Sequence, residues 1–303
     1  MTDTSIIGDV ATGGRTAGAP PSATRRSWAW MGLLPFFGFL LLFLLVPAIS
    51  VFQEALHNTD GSFGWRSMKD AFTGQNLDAF KFSVEFSAFA AFVGVVFGTL
   101  LAYAAATATR PRWLRNLVAS FSGVAANMGG IVLAFAFIAL IGPQGIATKA
   151  LKFFGWNMYG GSWKLGSVSG VTMVYSYFNI PLMVLITLPA IDGLRPAWRE
   201  ACTNLGGTTF TYWRRVGFPV LLPSLLGGFM LLFANSFSAY ATASILTDST
   251  RIVALRLGFY LGGDVNVGQD AIGFALAAWM IVITAFAMIV YWVLRKKAER
   301  WQQ

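Results

Sequence analysis

Charge is scarce in this chain. Only 12% of its 303 residues are charged, 56% are hydrophobic, and the mean hydropathy is +0.61. A soluble domain carries roughly 25% charged residues. This chain lacks the polar material to cover a water-facing surface, which leaves an integral membrane protein. Cysteine and histidine are scarcer still: Cys202 and His57 stand alone. A single cysteine excludes an intrachain disulfide, and one Cys and one His far apart do not make a typical zinc site. His57 reads as a loop residue. No GxxxxGK[ST] phosphate loop, GxSxG elbow or HExxH pair is present. The chain therefore does not cradle ATP by that route and shows no catalytic constellation.

What is present is apolar length. A bilayer crossing needs about 20 apolar residues. Six stretches qualify: 28–52, 82–107, 117–141, 166–191, 218–246 and 271–294. Residues 1–27 are polar and rich in Gly, Thr, Ala and Pro, and read as a disordered tail. The first stretch is too long for a signal-peptide core and no small-residue cleavage site follows it, so it reads as an uncleaved span. The expected organisation is a tail at 1–27, a first span and loop at 28–81, a core transmembrane domain at 82–294 and a basic tail at 295–303. The fold class is an all-α integral membrane protein with six transmembrane helices.

Direction follows from Lys and Arg. Fourteen of the 22 fall on the side shared by the two termini, and eight on the other. The first group is Arg15, Arg25 and Arg26, then Arg110, Arg112 and Arg115, then Arg195, Arg199, Arg214 and Arg215, then Arg295, Lys296, Lys297 and Arg300. The opposite loops also hold most of the acids, including Glu54, Asp60, Asp70, Asp78, Asp248, Asp264 and Asp270. Both termini, and residues 192–217, are thus expected in the cytoplasm.

Inside the spans polar groups are few: Glu85, Asn127, Asn179, Asn235, Ser236, Ser238, Tyr240 and Thr242. Each is costly at membrane depth and is a candidate for a substrate path or for a bond between helices. Asn235, Ser238 and Thr242 recur at helical spacing. Gly94 and Gly98 form a GxxxG face, read as helix packing. Pro35, Pro47, Pro181 and Pro189 point to kinked or frayed span ends. The spans lack the several paired acids or buried lysines of a proton-driven pump. That weighs against an ion-coupled secondary transporter, which stays open as an alternative, as does a scaffold without transport.

The polar loop "PAWREACTNLGGTTFTYWRRVGFPVLLPSL", beginning at Pro196, stands out in so apolar a chain. Pro196 suits a first helical turn. Trp198, Ala201, Cys202 and Leu205 then fall on one stripe. Gly206 and Gly207 stop the helix, and Thr208 or Thr209 caps a second piece. An interfacial helix accounts for Trp198, Trp213, Arg214 and Arg215. It does not account for Glu200 or the double glycine.

The loop resembles a known motif. Glu200-Ala201-Cys202, three residues, Gly206, nine residues, Val216, one residue, Phe218 and Pro219 is similar to the EAA loop. That loop marks permease subunits of binding-protein-dependent ABC importers. Cys202, Val216 and Phe218 depart from the family's Ala, Ile and Leu but stay small or apolar. The resemblance implies a type I importer permease fold with a cytoplasmic coupling helix. It implies no enzymatic activity in this chain and no cofactor of its own, with ATP and Mg held by the partner ATPase. It implies two ATPase subunits, a second permease that is a homologue, an extracytoplasmic binding protein, the bilayer and no nucleic acid as partners. The setting is a multi-pass protein of the bacterial inner membrane. Glu200 would contact the ATPase and Gly206 would permit the bend. Trp198, Ala201, Cys202, Leu205, Val216 and Pro219 would shape the dock. "TNLGGTTF" departs from the Ile-Asp-Gly-Ala of sugar permeases. It is closer to permeases for polyamines, ferric iron, thiamine, phosphonates and oxyanions. "LIGPQGIATKAL", "YFNIPLMVLITLPAI" and "FSAYATASILT" look like the spermidine/putrescine type, which makes a polyamine the leading expected substrate.

Overall fold

The structure, a computed structural model, describes residues 32–58, 62–108, 113–161, 163–247, 249, 251–262 and 270–300, with side chains of the last helix followed to 296. The tail at 1–27, the end of the basic tail and the charged residues Asp60, Arg110, Arg112, Asp248 and Asp264 lie outside that set.

Twelve helices are described: α1 Leu34–Ala55, α2 Arg66–Asp70, α3 Gly74–Thr107, α4 Trp113–Asn127, α5 Gly130–Ile141 and α6 Ile146–Phe153, followed by α7 Val168–Asp192, α8 Pro196–Asn204, α9 Thr209–Ser238, α10 Tyr240–Leu246, α11 Val253–Leu261 and α12 Asp270–Arg300. Among the described residues six helical stretches are long and apolar enough to cross a membrane. An isolated bridge between His57 and Phe63 is the one strand-like pairing described. His57 sits in that turn with Nδ1 against the Gln53 carbonyl, as a loop residue.

Residues 1–49 and 50–303 form separate units. In the first, the side chains of Leu33 to Leu45 are all exposed, as a hydrophobic helix made for contact with lipid or another chain presents them. A π-type turn at Leu41–Leu45 precedes Pro47, and another at Trp213–Gly217 precedes Pro219. Proline lacks the N–H for the carbonyl four residues back, and each π turn falls where that carbonyl is left without its partner.

In the second unit α3 lies along α7, and α9 packs against α3, α7 and α12. The GxxxG face makes the closest of these contacts. A Cβ on Gly94 would stand 2.7 Å from Asn179 Cβ and 2.6 Å from Leu232 Cδ2. A Cβ on Gly98 would stand 2.5 Å from Met183 Cβ. Missing side chains let the backbones meet. Arg115 of α4 pairs with Asp192, the last residue of α7, at the end of the bundle that carries α8. At the opposite end α11 folds back on α3. Ser83 Oγ accepts from the Val253 N–H at 2.8 Å, and Arg256 donates to Asn76 and Gln75.

Two spans expected to be continuous are broken. The stretch 117–141 is α4 followed by α5, interrupted at Met128 and Gly129. The stretch 218–246 ends α9 at Ser238 and resumes as α10 after Ala239. By length alone α5 and α6 count as one span, Gly130–Phe153. Packing says otherwise: α4 begins beside the end of α7, and the end of α5 lies near its start. There the Tyr159 hydroxyl, in the segment leading to α7, donates to the Ile141 carbonyl at 2.7 Å. α4 and α5 together run from one end of α7 to the other.

Candidate functional site

Two regions hold the candidate residues: the loop around α8 and the breaks in the third and fifth spans.

α8 starts at Pro196, which occupies its first turn, with Arg195 as the cap. It ends where the Gly206 N–H bonds to Thr203 O at 2.9 Å and the Gly207 N–H to Cys202 O at 2.8 Å. Gly206 has φ +75°, a left-handed conformation that glycine takes without a Cβ clash. Thr208 then caps the next helix, its hydroxyl accepting from the Thr211 N–H at 3.3 Å. The sequence elements for stop, bend and restart therefore occupy those places.

No residue of α8 is buried. Trp198 and Cys202 are half-buried, Ala201 and Glu200 exposed, and Leu205 is 89% exposed, so Leu205 holds nothing within this chain. An open cavity of about 490 Å³ lies on the stripe side, lined by Trp198, Ala201, Cys202, Leu205, Gly207, Thr211, Arg215, Val216 and Val220. The Arg195 guanidinium lies 5.9 Å from the Trp198 ring centre. The loop is anchored instead by Tyr212, which is buried, and by Trp213, edge-on to Tyr103 at 5.3 Å. Val216 and Pro219 lie at the root of α9, Val216 half-buried on the cavity and Pro219 exposed.

At the breaks, backbone groups lose helical partners inside the bilayer and must find others. Polar side chains supply them. The Tyr175 hydroxyl donates to the Ala239 carbonyl at 2.6 Å, and Thr242 Oγ1 donates to Gly130 O at 3.2 Å. Ser238 Oγ turns back to the Ala234 carbonyl at 2.9 Å, and Asn127 Nδ2 to the Gly123 carbonyl at 2.8 Å. Gly130, at φ +71°, opens α5 in the left-handed region. The Thr242–Gly130 bond brings the two breaks together, although they are far apart in sequence. Sequence reasoning missed Tyr175, because nothing local marks a tyrosine as the partner of a carbonyl so distant in the chain.

The six break-region candidates divide by exposure. Asn127, Asn235, Ser238 and Tyr240 are exposed around the breaks, and Thr242 and Asn179 are buried. Asn179, near the middle of α7, donates to Ser236 Oγ at 2.9 Å, and its Oδ1 has no partner among the described residues. Glu85 stands apart, exposed in a groove between α3 and the start of α7. Among the described residues no group of His, Cys, Asp and Glu is arranged to hold a metal.

Comparison with known proteins places this geometry. Residues 94–300 match the family model described as the binding-protein-dependent transport system inner membrane component. A putative ferric transport system permease protein, FbpB 1 of Haemophilus influenzae, is 22% identical over 250 residues, 80% of this chain. The chain spans 39% of that relative's length and 32% of a second ferric transport permease, from Actinobacillus pleuropneumoniae. The sulfate transport system permease protein CysW of Synechocystis is 23% identical over 86% of this chain and 90% of its own. The fold is similar to that of a bacterial alginate ABC transporter, solved in complex with an alginate-bound periplasmic protein. The TM-score is 0.65 over 92% of this chain and 96% of that one, at 16% identity.

Proposed function

The chain belongs to the binding-protein-dependent transport system inner membrane components, and from its membership as a non-catalytic, multi-pass ABC importer permease we propose how its parts work. α8 is the coupling helix and faces the cytoplasm with both termini. The observation that carries this is an apolar stripe and a carboxylate, Glu200, presented outward on a helix that buries nothing of its own. A helix so exposed needs a partner to cover it, and a separate ATPase subunit is the partner that ABC import requires. Two ATPases, a second permease homologous to this one and an extracytoplasmic binding protein complete the assembly. ATP and Mg belong to the ATPases.

The translocation path runs by the paired breaks. Asn127, Asn235, Ser238 and Tyr240 are exposed polar side chains at membrane depth, where lipid is a poor neighbour. Broken helices at membrane depth are tolerated where they line a cavity or are buried in protein. A second permease facing this surface would enclose a polar passage, with Thr242 and Asn179 setting the helices behind it. On substrate, the FbpB and CysW relatives are named for ferric iron and sulfate rather than for a polyamine. We therefore place a ferric or oxyanion solute ahead of the spermidine/putrescine class expected from the sequence.

The test is substrate-stimulated ATP hydrolysis by the assembled transporter in vesicles. Glu200→Ala should leave assembly and basal hydrolysis in place and remove most of the stimulation. Normal stimulation in that variant would rule out the coupling assignment.

A further inference from the structure

Glu85 is the one acid among the eight polar candidates named from the sequence, and neither the loop nor the breaks use it. It lies on α3 toward the end opposite α8, level with the start of α7. It has no hydrogen-bond or ion-pair partner among the described residues. Around it is a groove of about 770 Å³, lined by Phe82, Phe86, Phe89 and Trp163 and by Ser167 and Ser169; the Ser167 hydroxyl donates to the Lys164 carbonyl and lies 3.0 Å from the Ser169 hydroxyl. Phe86 is fixed edge-on against Tyr175, at 5.1 Å. From Phe89 an exposed apolar strip continues along α3 through Phe92, Val96 and Leu100 toward the bilayer centre.

A carboxylate among aromatic faces is the chemistry that binds an organic ammonium group: the ring faces and the anion both attract the cation. The strip below is the chemistry that holds a hydrocarbon chain. Lys81, one turn from Glu85, and Lys164, beside Trp163, make the surroundings poor for a polycation. They suit a head group that carries a phosphate next to its ammonium. We propose that this groove is a binding site for a phospholipid with an ammonium head group, phosphatidylethanolamine in kind, in the leaflet opposite α8. The ammonium sits on Glu85 between the rings, the phosphate turns toward Lys81 and Lys164, and one acyl chain follows the strip.

The experiment takes the complete transporter, with its partner chains, in mild detergent. It is incubated with equal amounts of phosphatidylethanolamine and phosphatidylglycerol, and the retained lipid is read by native mass spectrometry. The expected result is about fivefold preference for the ammonium lipid. Glu85→Gln should bring the two to parity, and Glu85→Lys should reverse the preference. Phe89→Leu, which keeps the wall apolar and removes a ring, should lower retention of the ammonium lipid alone. Equal retention by the unaltered protein, or an unchanged preference in Glu85→Gln, overturns the proposal. Displacement of the lipid by free spermidine would overturn it too, by assigning the groove to a soluble amine.

Discussion

Gly206 and Glu200 show how differently single residues of one loop are constrained. Gly206 is held by its backbone: at φ +75° a side chain is strained whatever the space around it, and no atom stands within 4 Å of its would-be Cβ. Gly206→Ala should therefore cost on the order of 1 kcal/mol, all of it from backbone strain at the end of α8. Its expected effect is partial: assembly preserved and substrate-stimulated ATPase activity lowered. Gly206→Pro fixes φ near −65° and removes the N–H that bonds to Thr203 O, and should abolish stimulation. The pair of variants, assayed side by side for stimulated and basal hydrolysis, separates bend geometry from simple loss of the protein. Equal, full stimulation in both would show that the bend does not matter. Glu200 is exposed and makes no hydrogen bond or ion pair among the described residues, so its contribution is expected in the complex. Both residues are candidates from the sequence, through the resemblance to the EAA loop that Glu200, Gly206 and Pro219 carry at their spacing. The sequence did not disclose that Leu205 points outward. An amphipathic stripe looks the same in sequence whether it covers its own protein or a partner.

At the scale of elements, the breaks at Met128–Gly129 and Ala239 matter most. A hydropathy reading joins each pair of half-helices, because the few polar residues near the breaks, such as Asn127 and Ser238, leave each stretch apolar on average. Gly129-Gly130 offered a local signal. Ala239 offered none: the chain turns there, at φ −74° and ψ 91°, while the Tyr175 hydroxyl takes its carbonyl. Tyr175 lies 1% exposed on a different helix, so tertiary contact rather than local propensity fixes the break. Removing that hydroxyl while keeping the ring makes a clean test. Tyr175→Phe leaves the Ala239 carbonyl without a donor in a nonpolar setting, at a cost of about 1–3 kcal/mol. The expected outcome is a lower thermal midpoint for the purified transporter and an altered transport rate, with binding to the ATPases unchanged. An unaffected midpoint and rate would mean that water or a neighbouring group takes over the bond and that the break does not depend on Tyr175. Elements packed through small residues were easier to foresee. Gly94 and Gly98 sit against Asn179 and Met183, as a GxxxG face requires.

For the whole molecule, composition alone specified a helical membrane protein, because 12% charge covers no soluble surface. The side on which each loop lies rests on the distribution of Lys and Arg, and the protein carries its own probe for it. Cys202 is the single cysteine, half-buried on α8 and in the wall of the open cavity. No engineered cysteine is needed, and no second thiol confuses the reading. A charged maleimide that does not cross bilayers should leave Cys202 unlabelled in intact, right-side-out cells and label it in inside-out vesicles. Labelling from the outside would place α8 on the other face and remove the coupling assignment with it. The same thiol also reports the partner. If an ATPase covers the Trp198–Leu205 side of α8, labelling in inside-out vesicles should slow when the ATPase is bound and recover when it is stripped away. A rate that ignores the ATPase would leave the apolar cavity uncovered and would require the docking surface to be sought elsewhere on the loop.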